Sequence, residues 1–189
     1  MPSPYAKHWS LEPSRLFLNH GSFGACPNFV IEEQRKWQDL MEREPVRFFE
    51  ELMPDLLLKS REALGTFLNC SPEDLAFVSN ATSGVNTILR SLHFEQGDEI
   101  LVPNHAYQAC RNSIDFVAKR WGANVVEVAI PFPIDGPETV VELMKSACSE
   151  RTKLVMIDTV TSPTGLRMPF EVLTEFFEGK GVEVLLDAA

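Results

Sequence analysis

Short apolar runs alternate with longer segments of helical periodicity from about residue 75 onward. The runs are LAFVSN, DEILVPN, NVVEVAI, KLVMIDTV and VEVLLD, which begin at Leu75, Asp98, Asn124, Lys153 and Val182. They are rich in Val, Ile and Leu and lack a clean two-residue alternation, which is typical of strands buried on both faces. Five strands separated by helices predict a parallel sheet covered by helices on both sides.

The first seventy residues follow a different pattern. A turn-rich stretch, RLFLNHGSFGACP, precedes two amphipathic helices predicted at NFVIEEQRKWQDLMERE and DLLLKSREALGTFLN. The sequence therefore predicts an N-terminal segment with helices over residues 1–70. It predicts an α/β domain over residues 71–189, a three-layer α/β/α arrangement with a mostly parallel sheet.

The net charge, the length of the apolar runs and the cysteine spacing indicate which partners and which cellular compartment to expect. The formal net charge of -10 argues against a nucleic-acid partner, because phosphate binding needs a surplus of Lys and Arg. No apolar run is long enough to cross a bilayer, and the start, MPSPYAKHWS, lacks the apolar core of a signal peptide. We therefore expect a cytoplasmic protein with no membrane partner. The four cysteines form no CxxC pair and no zinc pattern, so the sequence predicts reduced thiols and no metal site.

The first strand-to-helix loop of the predicted sheet, SNATSGVN, has the features of a phosphate site. Ligands bind such sheets at the carboxyl ends of the strands. Free amides at a helix start favour an anion, the hydroxyls of Thr82 and Ser83 add donors, and Gly84 permits close approach. Helix capping by Thr82 or Ser83 accounts for the same residues. The loop is neither a phosphate loop ending in GKS or GKT nor a GxGxxG turn.

The loop VPNHAYQA places two polar aromatic residues after the next strand. His105 and Tyr107 could lie against a planar ligand or serve as acid–base groups. A capping Asn104, with the aromatic rings packed on a neighbouring helix, accounts for the loop equally well.

Two aspartates and three hydroxyls occupy the remaining strand ends. Asp158 lies inside its strand, where a structural hydrogen bond is its simplest role, and Asp187 ends the last strand. A carboxylate in the position of Asp187 can hold a positive nitrogen or cap a following helix. The loop DTVTSPTGL adds the hydroxyls of Thr161, Ser162 and Thr164.

The ordered set of these segments resembles a known family. FLNHGSFGACP, EPVRFF, VSNATSGVN, GDEILVPNHAYQACRNSI, TVTSPTGL and VEVLLDAA resemble the large domain of fold-type I pyridoxal phosphate enzymes, in the class V aminotransferase family. That family includes cysteine desulfurases and isopenicillin N epimerase-like proteins, and the HGSFG, PVRFF, HAY and TSPTG variants lean toward the epimerase-like branch. The resemblance runs from about Leu16 to the last residue. It implies pyridoxal 5'-phosphate as cofactor and an incomplete large domain of the PLP-dependent transferase fold.

The resemblance assigns roles toward the cofactor. Ala81 and Thr82 should bind its phosphate. Tyr107 should stack on the pyridine ring, where desulfurases carry a His, and Ser162 should lie near the phenolic oxygen, where desulfurases carry an Asn. Asp187 should pair with the protonated pyridine nitrogen, since a fixed anion keeps that nitrogen protonated and the ring can then accept electrons.

Further residues are assigned to the substrate by the same resemblance. Asn19, His20 and Gly21 should approach the substrate side, with His105 as a neighbour of the stacking residue. Arg47 should bind a substrate carboxylate, because an arginine fork suits that group.

The Schiff-base lysine of the family lies beyond the Asp, after one further strand. None of the seven lysines follows Asp187, and Lys180 precedes the last strand, at the opposite edge of the sheet. The sequence therefore assigns no catalytic residue. We expect the 189-residue chain to be the N-terminal portion of an enzyme acting at the Cα of an amino acid or related amine. The epimerase, aminotransferase and C–S lyase types stay open, and the portion alone should be inactive.

Three further expectations complete the interpretation. The full-length parent should be a homodimer. The fold should place its remaining strands between LAFVSN and the other strands, so that LAFVSN lacks sheet neighbours here. The alternative to an enzyme portion is a non-catalytic α/β domain that binds a phosphate-bearing ligand or a protein partner.

Overall fold

The computed structural model describes residues 3–189, which divide into two compact units with the boundary between Ala76 and Phe77. The described part of the N-terminal unit contains four α-helices: α1 (His20–Phe23), α2 (Asn28–Arg43), α3 (Pro45–Arg47) and α4 (Met53–Leu68). A π-helical segment, Phe48–Leu52, lies between α3 and α4. The two long helices lie where periodicity predicts them, whereas the turn-rich stretch also contains the short helix α1.

Helix α4 ends in a tight turn that depends on Gly65. Asn69 adopts the left-handed conformation at φ 56°, and the backbone N–H of Cys70 donates to the Gly65 carbonyl at 3.0 Å. A Cβ on Gly65 would lie 2.8 Å from the carbonyl oxygen of Cys70. Gly65 is also the one residue that is buried among the described residues of this unit, so the unit has no apolar core of its own.

The second unit is a three-layer α/β/α arrangement. Its strands are β1 (Glu99–Pro103), β2 (Asn124–Val128), β3 (Thr152–Asp158) and β4 (Glu183–Asp187), all parallel in the order β2-β1-β3-β4. Its helices are α5 (Ala81–Ser91), α6 (Gln108–Trp121), α7 (Pro137–Ser146) and α8 (Phe170–Gly179). The predicted fold class is confirmed, and the sheet is wholly parallel within the part of the chain that is described.

The prediction of five strands is wrong in one place. Residues 75–80, LAFVSN, form no strand, and Phe77 and Val78 are 54% and 52% exposed. A strand needs a neighbour for its backbone hydrogen bonds, and none of the described strands pairs with this segment. The expectation that LAFVSN lacks its sheet neighbours is therefore confirmed, and without them its apolar composition does not make it a strand.

Two apolar clusters cover the two faces of the sheet. Alternate residues of each strand point to opposite faces, so Ile100 and Val102 of β1 join the cluster with α5 and α6. Leu101, from the same strand, joins the cluster with α7 and α8. Strands buried on both faces explain the absence of a polar–apolar alternation in the sequence.

The strand order creates a switch point between β1 and β3. From β1 the chain moves outward to β2, then returns past β1 to β3 and continues to β4. Because the direction reverses, α6 lies on one face and α7 and α8 lie on the other, as right-handed crossovers require. Ligand sites of open α/β sheets form at the carboxyl ends of the strands at such a point.

Candidate functional site

Two loops meet across the switch point. The backbone N–H of Tyr107, after β1, donates to Oδ2 of Asp158, the last residue of β3, at 2.9 Å. Nδ1 of His105 and Oγ1 of Thr164 lie 3.1 Å apart. These contacts join segments more than fifty residues apart in the chain, and they tie the loop after β1 to the end of β3 and to the loop that follows it.

Two buried carboxyl groups lie side by side at the carboxyl ends of β3 and β4. Asp158 and Asp187 end neighbouring parallel strands and are direct register partners, with 3% and 8% of their surfaces exposed. The thiol of Cys110 donates to Oδ2 of Asp187 at 3.3 Å, and the N–H of Ala189 donates to its Oδ1 at 3.3 Å. Oδ1 of Asp158 is buried, and no donor from residues 3–189 meets it.

Burial and mutual charge perturb two groups of this cluster. Burial raises the pKa of Asp158 to about 6; the charge of Asp187 acts in the same direction, and the hydrogen bond from Tyr107 opposes it. Burial also raises the pKa of the Cys110 thiol to about 12, helped by its hydrogen bond to Asp187 and by both carboxylates. The side chain of Thr82 lowers the same pKa, so the start of α5 lies beside this cluster.

The start of α5 is capped by Asn80, not by Thr82 or Ser83 as the capping alternative supposes. Oδ1 of Asn80 accepts the N–H of Ser83 at 2.8 Å. Asn80 has the extended backbone that a cap needs, and its short side chain reaches the third residue of the helix. The amides of Ala81 and Thr82 precede the first intrahelical bond, so they stay available for an anion at the positive end of the helix dipole.

Tyr107 immediately precedes α6, and 44% of its surface is exposed. Its backbone is anchored by Asp158, so the exposed ring projects from a fixed point. Asn104 does not cap α6: its Oδ1 accepts the N–H of Ile130 at 2.9 Å and ties the loop after β2 to the loop after β1. The capping alternative for this loop is therefore wrong.

His105 and the TSPTG turn form a connected polar group. His105 is 8% exposed, and its ring meets Phe132 edge-on with centroids 6.1 Å apart. Oγ1 of Thr164 lies 2.7 Å from Oγ1 of Thr161, which accepts the N–H of Leu166 at 3.0 Å. Thr161 therefore holds the turn together.

Ser162 lies in the same turn and is exposed. Its predicted role near the phenolic oxygen of the cofactor stays a prediction.

The four other residues assigned to the substrate lie in the N-terminal unit. Asn19 immediately precedes α1, and His20 and Gly21 begin that helix. The ring of His20 packs at right angles on Phe17, with centroids 4.7 Å apart. Their substrate roles stay predictions.

Arg47, the fourth of these residues, is already paired. Its guanidinium contacts Glu44 at 3.1 Å and Glu51 at 3.4 Å, and these acids raise its pKa. A substrate carboxylate has to compete with both acids for this side chain, and its substrate role also stays a prediction.

Sequence reasoning missed the contribution of two residues. Asp158 was assigned only a structural hydrogen bond, although an acid ending an apolar strand run is itself a signal of the sheet's ligand edge. Cys110 carries no such signal, because a lone thiol inside an amphipathic helix reads as core. Only the fold shows that it contacts Asp187.

The charge distribution of the cluster suits a ligand with a cationic and an anionic end. In the described chain, neither Asp158 nor Asp187 takes part in a salt bridge. Buried carboxylates without a cation are costly, and a positive ring nitrogen beside them relieves that cost. The free amides at α5 suit a phosphate. The residues present therefore fit pyridoxal phosphate.

The family model described as aminotransferase class-V matches residues 30–189. The chain belongs to this family of pyridoxal phosphate-dependent enzymes, as its motifs predict. The chain is 34% identical to isopenicillin N epimerase of Amycolatopsis lactamdurans, over 95% of this chain and 46% of that protein. It is 31% identical to a probable chloroplastic L-cysteine desulfhydrase of Arabidopsis thaliana, over 94% of this chain and 41% of that protein. The chain thus spans less than half the length of these relatives.

Solved structures share the fold. C-DES, with glycine covalently linked to its PLP cofactor, matches with a TM-score of 0.77 at 19% identity, covering 93% of this chain and 47% of that one. The cysteine desulfurase CsdA from Escherichia coli matches with a TM-score of 0.72 at 19% identity, covering 86% and 42%. Among residues 3–189, no helix has both the length and the apolar character needed to cross a membrane.

Proposed function

We propose that this chain supplies the cofactor-holding, N-terminal portion of a pyridoxal phosphate-dependent enzyme that acts at the Cα of an amino acid or related amine. The observation that carries the proposal is the buried pair Asp158 and Asp187, which has no described cation and lies at the carboxyl ends of β3 and β4. The free amides of α5 supply the matching anion site.

Each end of the cofactor has its own group of residues. Asp187 holds the pyridine nitrogen, the start of α5 at Ala81 and Thr82 holds the phosphate, Tyr107 covers the ring, and Ser162 faces the phenolic oxygen. When bound, the cofactor supplies an electron sink for the bonds at the substrate Cα. The family resemblance supports these roles.

The surroundings of Asp187 favour a stable orientation of its carboxylate. Cys110 donates to one oxygen and Ala189 to the other, so both oxygens are held in place. Asp187 is only 8% exposed, and charge interactions of a buried group are stronger than in water because the local dielectric is low. A carboxylate held in this way is suited to stabilise a positive ring nitrogen.

The reaction type stays within three classes: epimerase, aminotransferase and C–S lyase. The names of the relatives, isopenicillin N epimerase and L-cysteine desulfhydrase, support the first and the third. Tyr107 and Ser162 stand where desulfurases carry His and Asn, which argues against a desulfurase proper. Asn19, His20, Gly21, Arg47 and His105 are proposed as the substrate side.

We also propose a homodimeric whole protein in the cytoplasm. The resemblance supports the dimer, and the four cysteines, which form no CxxC pair, suit a reducing compartment. The net charge of -10 supports the absence of a nucleic-acid partner. Sedimentation of the whole protein at several concentrations tests the dimer, and a monomer at every concentration contradicts it.

Titration of the purified 189-residue chain with pyridoxal phosphate, followed by calorimetry, tests the cofactor assignment. We expect Asp187→Asn to raise the Kd by about tenfold or more, because the ring nitrogen loses its ionic partner. The control is Asp115→Asn, which removes an exposed carboxylate on α6. Equal affinity of the two variants, together with equally tight binding of inorganic phosphate, favours the alternative of a non-catalytic phosphate-binding domain.

Whether pyridoxal phosphate is bound to a lysine of this chain is a second test of the cofactor assignment. All seven lysines precede Asp187 in the sequence, so we expect the bound cofactor to be held without a covalent bond. Borohydride treatment of the one-to-one complex, followed by peptide mass analysis, should show no stoichiometrically modified lysine. A single, fully modified lysine contradicts this expectation.

A further inference from the structure

Asp158 is a second buried carboxyl of the site, and the cofactor assignment gives it no role. It ends β3, directly beside Asp187 at the end of β4, and it lies on the β1 side of that residue in the sheet. It is therefore the carboxyl that faces the switch point. Only 3% of its surface is exposed.

One oxygen of Asp158 fixes the start of α6. Oδ2 accepts the backbone N–H of Tyr107 at 2.9 Å, across 51 residues of sequence. The side chain of Tyr107, the N-cap residue of α6, makes no capping hydrogen bond, and the carboxylate of Asp158 is the acceptor that holds the backbone of Tyr107 in place. A negative charge at the start of a helix is also stabilised by the helix dipole.

The other oxygen has no donor within residues 3–189, although it is buried. The titratable groups around Asp158 are Asp187 from β4 and Cys110 from α6. His105, from the loop after β1, is bonded to Thr164. Since neither neighbouring titratable group is a cation, the negative charge of Asp158 is unbalanced by the described chain.

We propose that Asp158 is a positioning residue of the cofactor site, which fixes the backbone of Tyr107 and adds a second negative charge beside Asp187. The inference rests on the proposed function, because the cation that it serves is the ring nitrogen of the cofactor. The two effects are separable: the first needs an acceptor oxygen at this position, and the second needs an ionised one.

Two variants of the 189-residue chain separate these effects. Asp158→Asn keeps an oxygen that can accept the N–H of Tyr107 but removes the charge, and Asp158→Ala removes both. Asp115→Asn is the matched control, because it removes a carboxylate from α6 outside the site. The side chain of Asp115 is half exposed and pairs with Arg111, one helical turn earlier, at 3.1 Å. The Kd of pyridoxal phosphate is measured by calorimetry over a range of pH in two buffers of different ionisation enthalpy.

The expected results differ in size and in pH dependence. Asp158→Ala should raise the Kd by about tenfold or more near pH 7, because it loses the anchor and the charge, and by a smaller factor near pH 5, where only the anchor is lost. Asp158→Asn should raise the Kd by about threefold near pH 7 and leave it unchanged near pH 5. The pKa of Asp158 is raised to about 6, so this carboxyl is protonated below that pH and gains its charge above it. The wild type should accordingly release more protons on binding near pH 6 than Asp158→Asn does.

The outcomes distinguish this inference from the proposed function. Binding that depends on Asp187, but is the same in both Asp158 variants and the Asp115→Asn control, overturns the inference alone. Binding that ignores Asp187 overturns the proposed function and the inference with it. If circular dichroism shows that Asp158→Ala does not fold, the pH profile and proton release of Asp158→Asn decide the question.

Discussion

At the scale of single residues, the site is a chain of polar groups joined by hydrogen bonds and by strand pairing. Cys110 donates to Asp187, Asp187 lies beside Asp158, and Asp158 accepts from Tyr107. Each contact joins different elements of the fold, so no window of sequence contains any of the pairs. Sequence reasoning placed Asp187, Tyr107 and Thr82 at strand ends or helix starts, because strand and helix boundaries are local. It did not find their partners, because these are set by distant parts of the chain.

The reactivity of the cysteines tests the environment of Cys110. Burial raises its pKa to about 12, so the thiol stays protonated at all lower pH values and lacks the thiolate that alkylating agents attack. Cys26 and Cys70 are exposed. With iodoacetamide at about pH 8, we expect rapid labelling of Cys26 and Cys70 and labelling of Cys110 only after unfolding.

Peptide mass analysis over time measures these rates. Labelling of native Cys110 as fast as Cys70 contradicts the buried, hydrogen-bonded environment. The exposed cysteines serve as internal controls for the reagent.

At the scale of elements, helix starts and strand ends decide where ligands can be held. Helix α5 begins at the cap Asn80, and helix α6 begins where Asp158 meets Tyr107. Sequence periodicity located both helices, since apolar spacing is a local signal. It did not identify the caps, because the loop offered several Ser, Thr and Asn residues with similar capping preference. It also counted residues 75–80 as a strand from their apolar run, although the family resemblance already implied that this segment lacks its sheet neighbours here.

Replacement of Asn80 tests the cap. Asn80→Ala removes the acceptor for the N–H of Ser83 and should lower the free energy of unfolding by about 1 kcal/mol. Asn80→Asp keeps an acceptor and should be nearly neutral. Asn86→Ala is the matched control within the helix, where its side chain donates to the Thr82 carbonyl.

Urea denaturation followed by circular dichroism gives these differences. Equal losses for Asn80→Ala and Asn86→Ala contradict the assignment of Asn80 as the cap. The result bears on binding too, since the same helix start supplies the amides of Ala81 and Thr82.

At the scale of the whole molecule, the apolar core belongs to one unit. Both clusters of buried apolar side chains lie between Val85 and Leu185, whereas the N-terminal unit buries only Gly65 among its described residues. The predicted boundary near residue 70 and the division after Ala76 both separate helices from the α/β layers. Burial of apolar surface drives folding, so the two units should differ in their stability as separate polypeptides.

Two polypeptides test this difference: residues 77–189 and residues 1–76. We expect the first to unfold in one cooperative thermal transition and the second to show none, because it lacks a core. Circular dichroism at 222 nm and amide hydrogen exchange measure both. A cooperative transition for residues 1–76, with none for residues 77–189, contradicts the assignment of the core.

The sequence by itself determined the alternation of strands and helices, the parallel sheet and the edge at which chemistry has to occur. These follow from apolar periodicity and from short polar loops, which are local properties. Only the tertiary structure decided the strand order β2-β1-β3-β4, and with it the pairing of Asp158 with Asp187 and with the loop of Tyr107. The backbone hydrogen bonds that join two strands do not depend on the identity of the side chains. The sequence pattern therefore shows which residues are buried, but it does not show which strands become neighbours.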